Sequence, residues 1–208
     1  DFIQNKALEL SLFLSLPASI ALLIGSEQIT SALFGYGSFN SLSVKNSAHA
    51  LFYFALGLPA FSLIKIFSSF LFARHDTKTP FYFSFCSVVL NILISVYFFN
   101  KIGFIIIPIA TTISSWVNSF MLFIHIKNKK YFNLTLGIFK SFVKITISTL
   151  ITSYIFYKLL NLLSDSLNYN SQYKLPTIIL IVITTVIVYI LISIITKAFK
   201  TSDIKLKY

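Results

Sequence analysis

Charged residues are scarce in this chain of 208 residues: they make up 11% of it, against 56% hydrophobic residues, and the mean hydropathy is +0.83. A typical soluble domain contains about 25% charged residues. The imbalance excludes a soluble globular protein and makes the bilayer the expected solvent. Among the charged residues the acidic ones are the fewer, six against 17 cations, so the formal net charge is +11.

The residues needed for several kinds of chemistry are also missing. Cys86 is the single cysteine, so the chain can form no internal disulfide and no cysteine-rich metal site. His49 and His125 have no Cys, Asp or Glu at ligand spacing, and the sequence contains no glycine-rich phosphate loop or nucleophile elbow. These absences argue against an enzyme, a metal site or a bound cofactor. The cations lie between apolar blocks rather than on one amphipathic face, which argues against nucleic acid as a partner.

What the chain does contain is a series of long apolar runs. Each is near the roughly 20 residues that a membrane-spanning helix requires, and none alternates over about 10 residues as barrel strands do. The sequence therefore predicts an all-α integral membrane protein with six transmembrane helices. The first run, from residue 8 to 24 with apolar positions to 34, is kinked at Pro17 and long, tilted or broken near Gly25. The others lie at about 48–72, 81–99, 104–126, 138–160 and 175–195.

Two connections between the runs carry recognisable local signals. Residues 35–46 are rich in Gly, Ser and Asn, which predicts a loop. In the polar stretch before the third run, Thr79 is expected to cap a helix whose first turn begins at Pro80, where the missing N–H has no cost.

The distribution of Lys and Arg between the two sides of six spans predicts their orientation. Twelve of these residues fall on one side and four on the other, and Lys65 lies inside a span. The positive-inside rule then places both ends of the chain in the cytoplasm.

Lys65 is the most informative single residue, because a cation at the centre of a span costs about 2.5 to 3.5 kcal/mol on insertion scales. It precedes Phe72 by seven residues, about 10 Å along a helix. Two roles are equally compatible with this position. The side chain either extends to the headgroups or forms a structural ion pair, or it lies in a polar, anion-binding cavity.

Two further sets of polar residues interrupt the apolar runs. Lys140 and Lys144 are spaced i, i+4 on one helix face, where they face anionic phospholipid or, less favoured, a groove. Asn91 and Asn118 lie mid-span, where interhelical hydrogen bonds are the favoured role and a water-filled path is the alternative.

Three sequence pieces within residues 27–80 are similar, in order and spacing, to the MurJ (MviN) family of lipid II flippases. They are ITSALFGYGSF at Ile29–Phe39, ALGLPAFSLIKIF at Ala55–Phe67 and FLFARHDTKTP at Phe70–Pro80. The family belongs to the multidrug/oligosaccharidyl-lipid/polysaccharide exporter superfamily. Residues 35–37, Gly-Tyr-Gly, depart from the Glu-Arg-Gly that family members usually have there.

The resemblance implies that the chain holds the last six helices of a fourteen-helix, two-lobe transporter. Residues 1–130 would then be four helices of the second lobe, and 131–208 two additional C-terminal helices with a basic tail. The implied location is the bacterial inner membrane. The chain begins at Asp1 rather than Met, and eight further spans are expected upstream, so the 208 residues alone are not expected to move lipid.

The resemblance also implies a substrate and residue roles. The substrate is lipid II, a peptidoglycan precursor linked to undecaprenyl pyrophosphate, moved to the outer leaflet by alternating access, with the added helix pair forming a groove for its lipid tail. Lys65 matches a lysine of the family, and Arg74, Asp76 and Pro80 match its cytoplasmic-loop motif, which also contains Thr79. The implied partners are lipid II, membrane phospholipids and the N-terminal lobe of the same protein.

Two other functions are compatible with the sequence. One is a related exporter of another polyprenyl-linked glycan; a drug exporter is disfavoured because no carboxylate lies deep in a span. The other is a membrane scaffold that transports nothing and packs against a partner.

Overall fold

The chain folds into long helices, and a computed structural model describes residues 2–131 and 136–198. Within that part of the chain there is no β-strand, which confirms the all-α prediction. The helices are α1 (Phe2–Phe34), α2 (Ser41–Phe72), α3 (Lys78–Ile102), α4 (Ile106–Asn128), α5 (Leu136–Leu162), the short α6 (Ser164–Leu167) and α7 (Lys174–Ile195).

Helices α3 and α4 form an uninterrupted apolar stretch of 51 residues, Lys78–Asn128. A single helix of that length would extend about 75 Å, far beyond a hydrocarbon core of about 30 Å. The chain instead reverses at the 3₁₀ turn Gly103–Ile105, where Gly103 adopts a positive φ of 77°. The stretch therefore supplies two antiparallel spans, and the described residues contain the six long helices that the sequence predicts.

Polar side chains join α3 to α4 within their apolar surroundings. Asn91 Nδ2 donates to Thr111 Oγ1 at 3.0 Å, and Ser87 Oγ donates to the Ser114 carbonyl at 2.6 Å. Asn118 Nδ2 donates to Ser84 Oγ at 3.4 Å. Both mid-span asparagines thus make the interhelical hydrogen bonds that the sequence favours. Across the three contacts the residue numbers fall along α3 while they rise along α4, so the two helices are antiparallel.

The six long helices pack side by side in the order α3, α4, α2, α1, α5, α7. Because successive helices run in opposite directions, the start of α1 and the α2–α3 and α4–α5 connections lie at one end of the bundle. The α1–α2 loop, the Gly103 turn and the α5–α7 connection lie at the other end. We call these the Arg74 end and the Lys174 end, after the cation that each contains.

Two helix-interior prolines leave carbonyls without a helical donor, and neighbouring helices supply one. Pro17 has no N–H for the Phe13 carbonyl, and the Tyr189 hydroxyl of α7 donates to that carbonyl at 2.8 Å. Pro59 likewise frees the Ala55 carbonyl, to which Ser19 Oγ donates at 2.6 Å. Each proline therefore creates an acceptor that ties its helix to a neighbour, as an apolar solvent requires.

Two local expectations have different outcomes. The break near Gly25 is confirmed, since its backbone angles of φ −104° and ψ 15° are not helical and a Cβ there would lie 3.0 Å from the Phe156 ring. The loop predicted for 35–46 is wrong from residue 41 onward. Asn40 Oδ1 accepts the Ser43 N–H at 2.9 Å and caps α2, so this helix begins at Ser41 rather than near residue 48.

Candidate functional site

Arg74, in the predicted loop motif, holds three segments together at its end of the bundle. Its Nη1 donates to the Phe70 carbonyl at 3.0 Å, and its Nη2 donates to the Tyr131 carbonyl at 2.6 Å. The guanidinium also lies 4.9 Å from the centre of the Tyr131 ring. The Gln4 carboxamide, oriented with its oxygen toward Arg74, accepts from both nitrogens at 2.9 and 3.1 Å. Arg74 thereby joins the α2–α3 loop to the start of α1 and to the α4–α5 connection.

Asp76, rather than Thr79, provides the cap at the start of α3. Asp76 Oδ1 accepts the Thr79 backbone N–H at 3.0 Å, and Oδ2 accepts the Thr79 hydroxyl at 2.7 Å. The helix begins at Lys78, so Thr79 and Pro80 both lie in its first turn, and the prediction that Thr79 is the cap is wrong. A carboxylate has two acceptor oxygens, so each donor bonds to a separate oxygen.

The hydrogen bonds to Asp76 also change its acidity. The Thr79 backbone N–H and then the Thr79 hydroxyl stabilise the carboxylate, which lowers the pKa of Asp76 below its ordinary value of 3.8. His125 Nε2 of α4 lies 3.9 Å from Asp76 Oδ2. The loop motif is therefore built as a structural junction between α2, α3 and α4.

Lys65 is exposed on the surface of α2. Its backbone carbonyl accepts Ser69 Oγ at 2.9 Å, and its ammonium makes no hydrogen bond or ion pair with the described residues. Its role in a cavity remains a prediction.

Lys140 and Lys144 share a face of α5, as predicted, but have different surroundings. Lys140 is exposed, whereas Lys144 Nζ donates at 3.5 Å to the Lys197 carbonyl just beyond the end of α7. Ser148, one turn further along that face, is buried and its hydroxyl lies 2.9 Å from Thr196 Oγ1. Lys144 and Ser148 therefore connect this face of α5 to the end of α7, and Lys140 lies outside that contact.

An apolar groove of about 500 Å³ lies between α1, α5 and α7. Its α1 wall includes Leu14, Pro17 and Ala21, and its other walls include Phe156 of α5 and Val186 of α7. The Tyr189–Phe13 hydrogen bond created by Pro17 lies on the lining of this groove. The groove therefore contains this interhelical hydrogen bond, and its walls are otherwise mainly apolar.

Lys174, at the first residue of α7, forms the counterpart of the Arg74 cluster at the opposite end. Its side chain is 2% exposed, and its ammonium donates to the Gly35 carbonyl and, at 2.7 Å, to the Tyr169 carbonyl. The rings of Tyr36 and Tyr169 lie 4.2 and 4.6 Å from it. Sequence reasoning counted Lys174 only toward orientation and missed this cluster, although tyrosines beside both loops were the available signal.

The fold defines a class: a multi-pass helical membrane protein with a lateral apolar groove. Residues 2–131 and 136–198 contain no group of three His, Cys, Asp or Glu side chains that could hold a metal ion. The candidate functional features are an apolar groove, an exposed lysine in a span and two cation clusters at the helix ends.

Comparisons with known proteins identify the family. The family model for lipid II flippase MurJ matches residues 2–175. A probable lipid II flippase MurJ from Rhizobium meliloti strain 1021 is 42% identical over 121 residues, which are 58% of this chain and 23% of that protein. One from Thermotoga maritima is 38% identical over 140 residues, 66% of this chain and 28% of that protein.

A solved structure is similar as well. Lipid II flippase MurJ in an inward closed conformation superposes with a TM-score of 0.76 at 26% identity, covering 95% of this chain and 39% of that one. The chain belongs to the lipid II flippase MurJ family, which confirms the resemblance seen in the sequence. It spans about a quarter of the length of the curated relatives that it matches.

Proposed function

We propose that this chain is the C-terminal part of a lipid II flippase that moves a peptidoglycan precursor, linked to undecaprenyl pyrophosphate, across the bacterial inner membrane by alternating access. The observation that carries the proposal is the family match over residues 2–175 together with the structural similarity over 95% of the chain. The chain acts as a transporter module and catalyses no covalent step.

The two parts of the proposed module have separate tasks. Residues 1–130 contribute four helices to the second lobe, and 131–208 contribute the added helix pair. The apolar groove lies where the pair, α5 and α7, meets α1. A polyprenyl tail is apolar along its length, so burying it in a groove of this kind removes it from polar surroundings during transport.

The cations have proposed roles that suit a pyrophosphate. Lys65 contributes an ammonium to a cavity formed with the N-terminal lobe, which is supported by its exposure and by its lack of a partner among the described residues. Lys140 contacts anionic phospholipid headgroups. Both ends of the chain are cytoplasmic, which places the Arg74 end inside the cell and the Lys174 end outside.

A chimera tests the proposal directly. The 208-residue chain, which includes the α7 wall of the groove, replaces the corresponding segment of the Thermotoga maritima relative, and the purified chimera is reconstituted in vesicles with fluorescent lipid II. The expected result is translocation of the label to the opposite leaflet. Filling the groove by Ala21→Trp should lower the rate severalfold, as should Lys65→Met, because each removes a contact proposed for one part of the substrate.

Matched changes outside the proposed path serve as controls. Val96 is 71% exposed on α3, so Val96→Trp should leave the rate unchanged, and Lys101→Met at the Gly103 turn is the control for Lys65. A folded chimera that translocates no lipid II, or one that is slowed equally by both tryptophans, would contradict the proposal. Depleting the whole protein in its host should also make the lipid-linked precursor accumulate.

A further inference from the structure

A polar cleft that shares no lining residue with the apolar groove lies at the Lys174 end. Its volume is about 270 Å³, room for several water molecules or a small organic group. Polar side chains dominate the lining and come from α1, the start of α2, the end of α5 and the connection that follows: Glu27, Gln28, Ser31, Ser41, Asn161 and Asn168. We call it the Glu27 cleft.

Three of these side chains converge because of helical geometry. Glu27 and Ser31 are spaced i, i+4 on α1, and Gln28 is three residues before Ser31, so all three lie toward one side of the helix. Ser31 is 5% exposed, and its hydroxyl has no hydrogen-bond partner among the described residues. A buried hydroxyl without a partner is costly, and a ligand in the cleft would satisfy it.

The charges in and around the cleft limit the chemical class of that ligand. Glu27 is the only residue of the lining with a formal charge, and it makes no ion pair within the described part of the chain. Lys174 contacts the lining residue Tyr169, but its ammonium is buried and donates to two carbonyls. Lys45 and Asp165 neighbour lining residues in the chain but do not line the cleft. The lining thus offers one carboxylate, hydroxyls and carboxamide oxygens, a set that suits a cationic donor.

We propose that the Glu27 cleft binds a primary ammonium group carried on a polar head, with Glu27 as its charge partner and Ser31 as a hydrogen-bond acceptor. A primary ammonium has three N–H donors for these oxygens, whereas a quaternary ammonium has none. The same chemistry occurs in the ethanolamine headgroup of a phospholipid and in small soluble amines. The cleft lies at helix ends, where headgroups meet a membrane protein. The inference is independent of the proposed function, because it concerns neither the groove nor Lys65.

The test uses the full chain in detergent micelles doped with phosphatidylethanolamine, phosphatidylcholine or phosphatidylglycerol, with retained lipid counted by native mass spectrometry. The expected preference for phosphatidylethanolamine over phosphatidylcholine is about tenfold, the effect of one hydrogen bond to a charged group. Glu27→Gln, which keeps the side-chain shape, should abolish the preference. Ser31→Ala should reduce it about threefold, as expected for a neutral hydrogen bond.

Asp165→Asn is the matched control, since it removes a carboxylate beside the cleft but not in its lining, and it should retain the preference. Free ethanolamine, added to protein in phosphatidylglycerol micelles, separates the two sources. A rise in the unfolding temperature that Glu27→Gln abolishes indicates a soluble amine, and selective retention of phosphatidylethanolamine without that rise indicates a headgroup. Equal retention of the ethanolamine and choline lipids without any response to ethanolamine, or full selectivity in a folded Glu27→Gln variant, would overturn the proposal.

Discussion

The two ends of the bundle hold a cation in the same way but at different depths. Arg74 donates to the carbonyls of Phe70 and Tyr131 and stacks on one ring, and it is partly exposed. Lys174 donates to two carbonyls between two tyrosine rings, and it is buried. Among residues 2–131 and 136–198, neither charge is paired with a carboxylate. A chain with six acids and 17 cations uses carbonyl dipoles and aromatic faces instead.

This comparison explains why the two cations differ in chemical type. A guanidinium has five donors in a fork and reaches carbonyls on separate segments, which suits a junction of three chain segments. The compact ammonium of Lys174 donates to the carbonyl of Gly35, a residue packed too closely for a side chain: a Cβ there would lie 2.6 Å from the Ser31 carbonyl oxygen and 3.2 Å from the Tyr169 ring. Burial makes the Lys174 end the one that depends more on its cation.

Replacing each of the two cations with methionine tests whether the stability of the two ends depends on them to different degrees. Lys174→Met leaves the Gly35 and Tyr169 carbonyls without this donor in a buried site, which should lower the free energy of unfolding by about 2 to 4 kcal/mol. Arg74→Met should lower it by only about 1 kcal/mol, since water can replace the lost donors at a partly exposed site. Reversible unfolding in mixed detergent micelles measures both values.

Lys158→Met is the control for removing a lysine from a tyrosine ring. Lys158 is exposed and lies 5.6 Å from the Tyr154 ring, so its loss should produce a much smaller shift than Lys174→Met. If Lys174→Met were no more destabilising than Lys158→Met, the carbonyl contacts of Lys174 would not stabilise the fold.

Acid sensitivity should separate the two ends further, because Asp76 belongs to the Arg74 end. The hydrogen bonds from Thr79 lower the pKa of Asp76 in the folded chain below 3.8. Its contribution is therefore present above the unfolded pKa and is lost as the pH falls through the lower, folded pKa. Stability measured from pH 6 downward should fall in that window in the native chain.

Asp76→Asn keeps an acceptor for the Thr79 N–H but cannot titrate, so that part of the acid response should disappear while stability at neutral pH changes little. Asp76→Ala removes the cap and should cost about 1 kcal/mol at neutral pH. An unchanged acid response in Asp76→Asn would mean that another titrating group causes the loss of stability in this pH range.

Features that neighbouring residues in the sequence determine were mostly predicted, whereas features that depend on residues far apart in the chain were missed. Apolar runs located all six long helices, since span length follows from bilayer thickness. The start of α2 was missed because four of the six residues 41–46 are polar and only the Asn40 cap reveals it. Arg74 and Asp76 were found through the loop motif. Lys174 was missed because its partners Gly35 and Tyr36 lie more than 130 residues away in the chain, and only folding brings them together.

The smallest expected effect concerns the tyrosine hydroxyls rather than the cations. Tyr169 and Tyr131 both place a ring over a cation, but the Tyr169 hydroxyl also donates to the Phe39 carbonyl at 2.8 Å, whereas the Tyr131 hydroxyl has no partner among the described residues. Phenylalanine keeps each ring in place. Tyr169→Phe should therefore cost about 0.5 to 1.5 kcal/mol of unfolding free energy, and Tyr131→Phe close to nothing. Equal effects at the two positions would mean that the bond to Phe39 adds no stability, and the Lys174 end would then be held by its cation and rings alone.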